Sequence, residues 1–438
     1  MVQGVFYFCI PMLYLPTLRA ERAAAEAALN KRCLNGAALV EQLLQADDAR
    51  RAAQVALDDC LAESNLLAKA VGDFFKTGQK AEADAAREKS TALKETAKRL
   101  EAVLREAENA LQSLLVAVPN TPHSSVPAGK SAEDNEEIRS SGSIPQLHEG
   151  AVPHWDLASR YNLIDFELGV KITGAGFPVY LGKGARLQRA LIQFFLDRNT
   201  AAGYTEVQPP HFVNEASGFG TGQLPDKEGQ MYHAVADNLY AIPTAEVPVT
   251  NLYRDVIVDE SDLPIRHTAY TPCFRREAGS YGKDVRGLNR LHQFDKVEVV
   301  TIDRPEDSYG RLEEMVQHVA GLLDALELPY RILRLCGGDM GFTSALTYDF
   351  EVWSAAQQRW LEVSSVSNFE TYQANRLKLR YRRTSDRKTQ LAHTLNGSAL
   401  ALPRVVAALL ENHQDENGIR IPAALVPYTG FDRISLAA

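Results

Sequence analysis

Between Thr268 and Glu298 the chain brings guanidinium, carboxylate and aromatic groups close together in sequence. Thr268-Ala-Tyr-Thr-Pro-Cys-Phe runs into Arg275, Arg276 and Glu277. A Gly/Ser/Lys/Asp segment follows, with Arg286 and Arg290 in or near it, and Leu291-His-Gln-Phe294-Asp-Lys-Val-Glu298 returns. Apolar and aromatic runs on either side of a glycine-punctuated polar stretch predict strand, loop and returning strand. Phe294 and Glu298 are four apart and so share a face of the second strand. Guanidinium groups grip phosphate in bidentate fashion, and an aromatic face can stack a purine. The chemistry implied is nucleotide binding, with an exposed, salt-bridged hairpin as the alternative on these residues alone.

Three further stretches carry candidate groups. Tyr240-Ala-Ile-Pro-Thr244-Ala245-Glu246 places a hydroxyl and a carboxylate two residues apart, a pair that can hydrogen-bond an ammonium group. An ST-turn after Pro243 would use the same residues structurally. Tyr348–Trp353 and Trp360-Leu-Glu362-Val363-Ser364-Ser365 read as antiparallel strands. His393-Thr-Leu-Asn396-Gly397-Ser398 reads as a strand that gives way to a helix, with Pro403 in the tolerated first turn and Arg404 beside it.

These segments need a scaffold. Residues 17–32 read as one short helix, broken at Asn35-Gly36. Leu39, Leu43, Ala46, Arg50, Ala53, Leu57, Cys60, Ser64, Leu67, Val71 and Phe74 alternate spacings of four and three. After Thr77-Gly78-Gln79 a second seam runs through Leu93, Ala97, Leu100, Leu104, Ala107, Leu111 and Leu114. Two such seams joined by a glycine turn predict an antiparallel coiled-coil hairpin whose arms, at about 38 residues each, reach roughly 55–60 Å. Residues 119–150, rich in Pro, Ser, Gly and acidic groups, read as a linker with little regular structure. From Trp155 the pattern is α+β: a helix over 184–200, a strand over 203–210 closed by proline, and a helix over 309–325 with Leu312, Met315, Val316, Val319, Leu322 and Leu323 as its buried stripe. The division expected is 1–118, a linker over 119–150, and 151–438.

With 438 residues, 45% of them hydrophobic, the chain can build two or three domains. A net charge of −9 does not advertise nucleic-acid binding, so any RNA contact must come from local basic residues. Residues 80–117 hold seven Lys/Arg against seven Asp/Glu. Arg87, Lys94, Lys98 and Arg105 are the candidates there, with a solvated, ion-paired helix face as the alternative. The five cysteines are scattered, which fits a reducing cytoplasm and shows no disulfide framework or zinc cluster. Met1–Leu15 lacks a basic leader and is too short to span a bilayer; Met12 is the expected start of translation. No GxGxxG or Walker loop stands in strand–helix context.

Taken with these motifs, the hairpin resembles motif 2 of class II aminoacyl-tRNA synthetases. Phe-Arg-Arg-Glu-Ala-Gly-Ser-Tyr-Gly followed by His-Gln-Phe-Asp-Lys-Val-Glu is similar to seryl-tRNA synthetases of bacterial type. Helix 184–200 and strand 203–210 resemble motif 1, and His393–Glu411 resembles motif 3, although Ala399 and Pro403 stand near positions where the family usually has glycine. Met12-Leu-Tyr-Leu-Pro-Thr-Leu-Arg resembles the family's opening. The resemblance implies an antiparallel sheet of six to eight strands flanked by helices. It also implies a symmetric homodimer, a coiled-coil arm that grips tRNA(Ser) and presents it across subunits, and tRNA(Sec) as a second substrate.

Position by position, the resemblance implies that Thr244, Ala245, Glu246, Arg275, Glu298, Asn396 and Ser398 hold L-serine. Arg275, Arg276, Glu277, Arg290, Leu291, Phe294, Glu362, Val363, Ser364, Ser365 and Arg404 would hold ATP, with Arg275, Glu277 and Arg404 catalytic. Glu362 with Ser365 would hold Mg²⁺, and no zinc is expected. The rival enzymes are class II synthetases for threonine or proline and a carrier-protein aminoacylase; the rival from another class is an inactive RNA-binding paralogue. The heptad arm, the Thr244/Glu298/Ser398 set and the lack of Cys/His zinc ligands argue against the two synthetases, the long arm against the aminoacylase, and the retained Arg275, Glu277, Glu298, Glu362 and Arg404 against the paralogue.

Overall fold

The computed structural model describes residues 13–226, 228–277 and 286–436. The expected start at Met12 and the Ala278–Gly282 part of the hairpin string lie outside them. By contacts the chain divides into two units: residues up to Asn30 with Leu34–Pro119, and Lys31–Cys33 with Asn120 onward.

In the first unit, the segment read as one helix over 17–32 forms two, Leu15–Ala20 and Arg22–Lys31. A 41-residue helix, Gly36–Lys76, starts where the Asn35 side chain accepts from the Ala38 N–H. It turns at Gly78, in the left-handed region at φ +77°, and returns as Lys80–Ala117, 38 residues long. Every residue of the predicted first seam is at least half-buried, and Leu57, Cys60 and Ala97 form one fully buried layer of the hairpin. The heptad period therefore sets the pairing. Its end nearest Asn35 also buries Asp47, which pairs with Arg19, Arg50 and Arg51 at 2.8, 2.9 and 3.2 Å.

The second unit is built on an eight-stranded sheet. In chain order its strands are β1 Glu136–Ser141, β2 Thr205–Glu206, β3 Ile265–Phe274, β4 Gln293–Asp303, β5 Tyr330–Arg334, β6 Leu346–Ser354, β7 Arg359–Asn368 and β8 His393–Ala401. Their spatial order is β1-β5-β6-β7-β8-β4-β3-β2, with all pairs antiparallel except β2 with β3. The class is α+β, as expected.

Helices Gly182–Ala201, Ser308–Ala325 and Leu402–Asn412 contribute to one apolar core with the sheet, including Phe194, Phe195, Val297, Val299, Leu312 and Phe350. All six residues of the predicted 309–325 stripe are buried. The other face of β4, β8 and β7 is left for polar side chains.

Two expectations are corrected. The segment read as a linker with little regular structure contributes β1, an edge strand. Its residues are almost all exposed, so it has no inward face to reveal it. It is held by main-chain pairing to β5 and by Glu136 and Glu137 reaching Arg334 and Arg331. The strand expected over 203–210 pairs only at Thr205–Glu206 and through the Val207 N–H to the Thr268 carbonyl at 2.8 Å. Pro209 and Pro210 have no N–H to continue the ladder.

Candidate active site

On β4, successive side chains alternate faces, so Phe294, Lys296 and Glu298 point together while Val297 and Val299 enter the core. The register sets Phe294 against Cys273, Lys296 against Thr271 and Glu298 against Ala269 on β3, and Glu298 against Ser398 on β8. Asn396, opposite Val300, joins the same face. Its amide donates to Glu298 Oε1 at 2.9 Å, and the Lys296 ammonium lies 2.7 Å from Glu298 Oε2. That second oxygen is buried and accepts no hydrogen bond from the described residues; it is paired by charge alone. A carboxylate so placed keeps an acceptor position for an incoming hydroxyl.

The Thr244–Glu246 turn lies over this face because Ala245 and Val249 pack on Ala269 and Val300. Thr244 Oγ1 accepts from the Glu246 N–H at 3.2 Å, the ST-turn that was the structural alternative for these residues. Glu246 is buried; Gln373 donates to it at 2.6 Å and is itself held by Thr394 at 2.8 Å. Burial pushes the Glu246 carboxyl up to about 7, the Glu298 charge adds to the rise, and Gln373, Lys296 and Arg275 oppose it. The turn thus sets a second carboxylate near the first.

At the open end of the hairpin the Arg275 guanidinium stands 5.3 Å over the Phe294 ring. The Arg275 N–H donates to the His292 carbonyl at 2.9 Å, and the Arg276 N–H to the Gln230 carbonyl at 2.8 Å. Arg276 is exposed. Glu277 adopts φ +48° and its carboxylate pairs with Arg290.

β7 explains the spacing of Glu362 and Ser365. Phe350 pairs with Ser364 and Glu351 with Glu362, so Val363 is an extra residue, a bulge. The bulge turns Glu362 and Ser365, three apart, to one side, and Val363 and Ser364 to the buried side. Asp349, opposite Ser365, is on the Glu362 side and keeps one buried oxygen without a hydrogen bond. Burial, with the Glu362 charge beside it, holds the Asp349 carboxyl well above the usual range.

Arg404, in the first turn of Leu402–Asn412, donates to the Glu362 carbonyl at 2.8 Å and the Asn289 carbonyl at 3.0 Å. It lies 3.6 Å from the Glu362 carboxylate.

Most of the predicted set therefore lines one sheet face and its rim. Three of the predicted residues turn their side chains to the buried side. Leu291 and Val363 are buried in the apolar core, and the Ser364 hydroxyl donates to the Ser398 carbonyl at 2.6 Å. Lys296 was missed, although it stands midway between Phe294 and Glu298 on the same parity; Gln373 had no local signal. Among the described residues no group of three or more His, Cys, Asp or Glu could hold a metal, and no helix is long and apolar enough to cross a membrane.

The sheet and its polar face belong to a class II aminoacyl-tRNA synthetase core. The family described as tRNA synthetase class II core domain (G, H, P, S and T) matches residues 232–413, and the seryl-tRNA synthetase N-terminal domain matches residues 12–122. The chain is 53% identical over 428 residues to a serine–tRNA ligase of Salinibacter ruber, covering 98% of this chain and 100% of that one. It is 46% identical to that of Chlorobium phaeobacteroides, over 97% and 99%. A crystal structure of seryl-tRNA synthetase from Pyrococcus horikoshii complexed with ATP superposes with a TM-score of 0.90 at 34% identity, covering 97% of this chain and 100% of that one. The chain belongs to the serine–tRNA ligase family, and its reaction is the ATP-dependent joining of serine to tRNA.

Proposed function

We propose that the polar face of β4, β8 and β7 is where serine and ATP meet. Serine's ammonium group sits at Thr244 and Glu246, with Ala245 as floor. Its hydroxyl donates to Glu298, and Asn396 and Ser398 close the pocket. Arg275 holds the serine carboxylate and the ATP α-phosphate. The carboxylate attacks that phosphorus and pyrophosphate leaves. The terminal adenosine 3′-hydroxyl of the tRNA then attacks the acyl carbon, and AMP leaves. No protein nucleophile takes part; positioning and charge supply the rate.

Phe294 and Arg404 sandwich adenine, with Glu277 at its edge. Arg276, Arg290 and Arg404 face the phosphates, so binding exchanges the Glu277–Arg290 pair for phosphate oxygens. Glu362 and Ser365 are hard oxygen donors brought to one side by the bulge, with the Asp349 carboxyl beside them, and this donor set suits Mg²⁺. When bound there, Mg²⁺ would neutralise phosphate charge. Zinc has no role in this reading.

The arm binds tRNA(Ser), and tRNA(Sec) as a second substrate, through Arg87, Lys94, Lys98 and Arg105. The enzyme acts as a cytoplasmic homodimer with tRNA bound across subunits.

The observation that carries the reading is Glu298, a buried carboxylate held by Lys296 and Asn396 under the Thr244–Glu246 turn. Glu298→Ala is expected to lose serine-dependent ATP–pyrophosphate exchange by several kcal/mol, or about 10²-fold and more. Near-normal exchange in that variant sinks the assignment.

A further inference from the structure

The helix that presents Arg404 in its first turn carries Glu411 near its end. Glu411 is fully buried, yet it binds no substrate in the reading above. It accepts from the main-chain N–H of His154 at 3.0 Å and meets His154 Nδ1 at 2.7 Å. The other ring nitrogen, Nε2, accepts from the Leu288 N–H at 2.9 Å. An acceptor at Nε2 puts the ring proton on Nδ1, donating to Glu411, so the neutral tautomer is fixed from both sides. Burial alone would raise the Glu411 carboxyl; donation from His154 and Ser354 outweighs it and holds the group below its usual range.

The approach is close: a Cβ on Gly287, at φ +66°, would lie 2.3 Å from His154 Nε2. Next in sequence to His154, Trp155 carries the Arg286 guanidinium 4.7 Å over its ring. Gln357 donates to Glu411 at 3.2 Å and accepts from the Asn289 amide at 3.0 Å. The Asn289 carbonyl in turn receives Arg404. Leu288 and Asn289 are thus pinned at several points immediately before Arg290, and the pins lead back to the helix that bears Arg404.

We propose that His154 and Glu411 are a positioning pair. They fix the returning limb of the hairpin at Leu288 and Asn289 so that Arg290 and Arg404 face the ATP phosphates together. The proposal rests on the reading of those two arginines as nucleotide ligands. It separates ATP affinity from serine affinity, because nothing in the network touches Thr244, Glu246 or Glu298.

The test is ATP–pyrophosphate exchange on the full chain. His154→Asn sets an amide where Nδ1 stands and keeps the Glu411 contact, but cannot reach Leu288. His154→Gln sets an acceptor where Nε2 stands, while the main-chain N–H of residue 154 still donates to Glu411. His154→Asn is expected to raise the KM for ATP about tenfold, with the KM for serine within about twofold, and His154→Gln to recover most of the loss. Equal changes for both substrates, an unchanged ATP KM, or no recovery in His154→Gln overturns the proposal.

If a buried His154 variant does not fold, Gln357→Ala removes the Asn289 prop from a half-buried position. It is expected to raise the ATP KM selectively by about threefold; no selective rise overturns the proposal. Arg404→Ala is run beside them. If it leaves the ATP KM unchanged, the nucleotide reading itself fails; if it raises that KM while His154→Asn does not, only the positioning role fails.

Discussion

The Lys296 ammonium lies 2.7 Å from Glu298 Oε2, and both side chains are almost completely removed from solvent. The pair sits two residues apart on one face of β4, beneath the Thr244–Glu246 turn. Removing one member leaves the other charge buried and unpaired, which typically costs about 3–5 kcal/mol. Lys296→Met and Glu298→Gln should each lower the denaturation midpoint. The double variant should lose less than the sum by about 1–3 kcal/mol. Urea denaturation of the four proteins measures this; strictly additive losses would show that the two charges do not depend on each other.

Glu246 gives a pH signature. Its carboxyl is raised from 4.5 to about 7 in the folded chain, chiefly by burial. Between those values the folded state binds more protons than the unfolded state, so this group's stabilisation is fully present below about 4.5 and declines as pH rises through 7. The loss amounts to up to about 3 kcal/mol. Serine binding runs the other way, because an ammonium group needs an ionised partner. The KM for serine should fall as pH rises from about 6 to about 8. Glu246→Gln should flatten both profiles. A serine KM that stays steep with pH in that variant assigns the titration elsewhere.

Arg404 joins β7 to the hairpin by donating to the Glu362 and Asn289 carbonyls. Arg404→Lys keeps the charge but not the fork that reaches both. It should raise the KM for ATP by about tenfold or more and leave thermal stability within about 1 kcal/mol. Isothermal titration with ATP and a melting curve separate the two effects; a large fall in stability with unchanged ATP affinity would make Arg404 a structural clamp.

The arm predicts a different split. Arg87, Lys94, Lys98 and Arg105 lie on the exposed side of Lys80–Ala117, away from the buried Ala97. Changing all four to Gln should leave serine-dependent pyrophosphate exchange unaltered. It should lower tRNA charging and make the salt dependence of tRNA binding shallower by up to about three to four units of logarithmic slope. An unchanged salt slope would mean that these groups serve only the helix surface.

How much of this was legible depends on where each signal resides. The arm is written in a 3.5-residue period, so its seam could be read position by position. The stripe over 309–325 was equally plain. Thr244 and Glu246 stood out as a hydroxyl and a carboxylate two residues apart, and Glu298 by its parity with Phe294 on one strand.

What escaped depends on partners distant in sequence. β1 has no inward face and exists through main-chain pairing with β5. Glu362 and Ser365 share a side only because Val363 bulges, a feature of register against β6. His154 and Glu411 lie 257 residues apart and look ordinary until the fold joins them. Leu291, Val363 and Ser364 fall inside the motifs, but Leu291 packs into the core just before β4 and the bulge turns Val363 and Ser364 to the buried side.

In the proposed function a hydroxyl-accepting carboxylate selects the amino acid. That selection is tested most directly by ATP–pyrophosphate exchange with serine, alanine, glycine and threonine in turn, without tRNA. A pocket built around Glu298 predicts exchange with serine and a kcat/KM for alanine and glycine lower by about 10⁴-fold or more, because the buried carboxylate loses its donor. Threonine, excluded by volume, should be rejected less severely. Alanine activated within about tenfold of serine would show that selection does not pass through the hydroxyl.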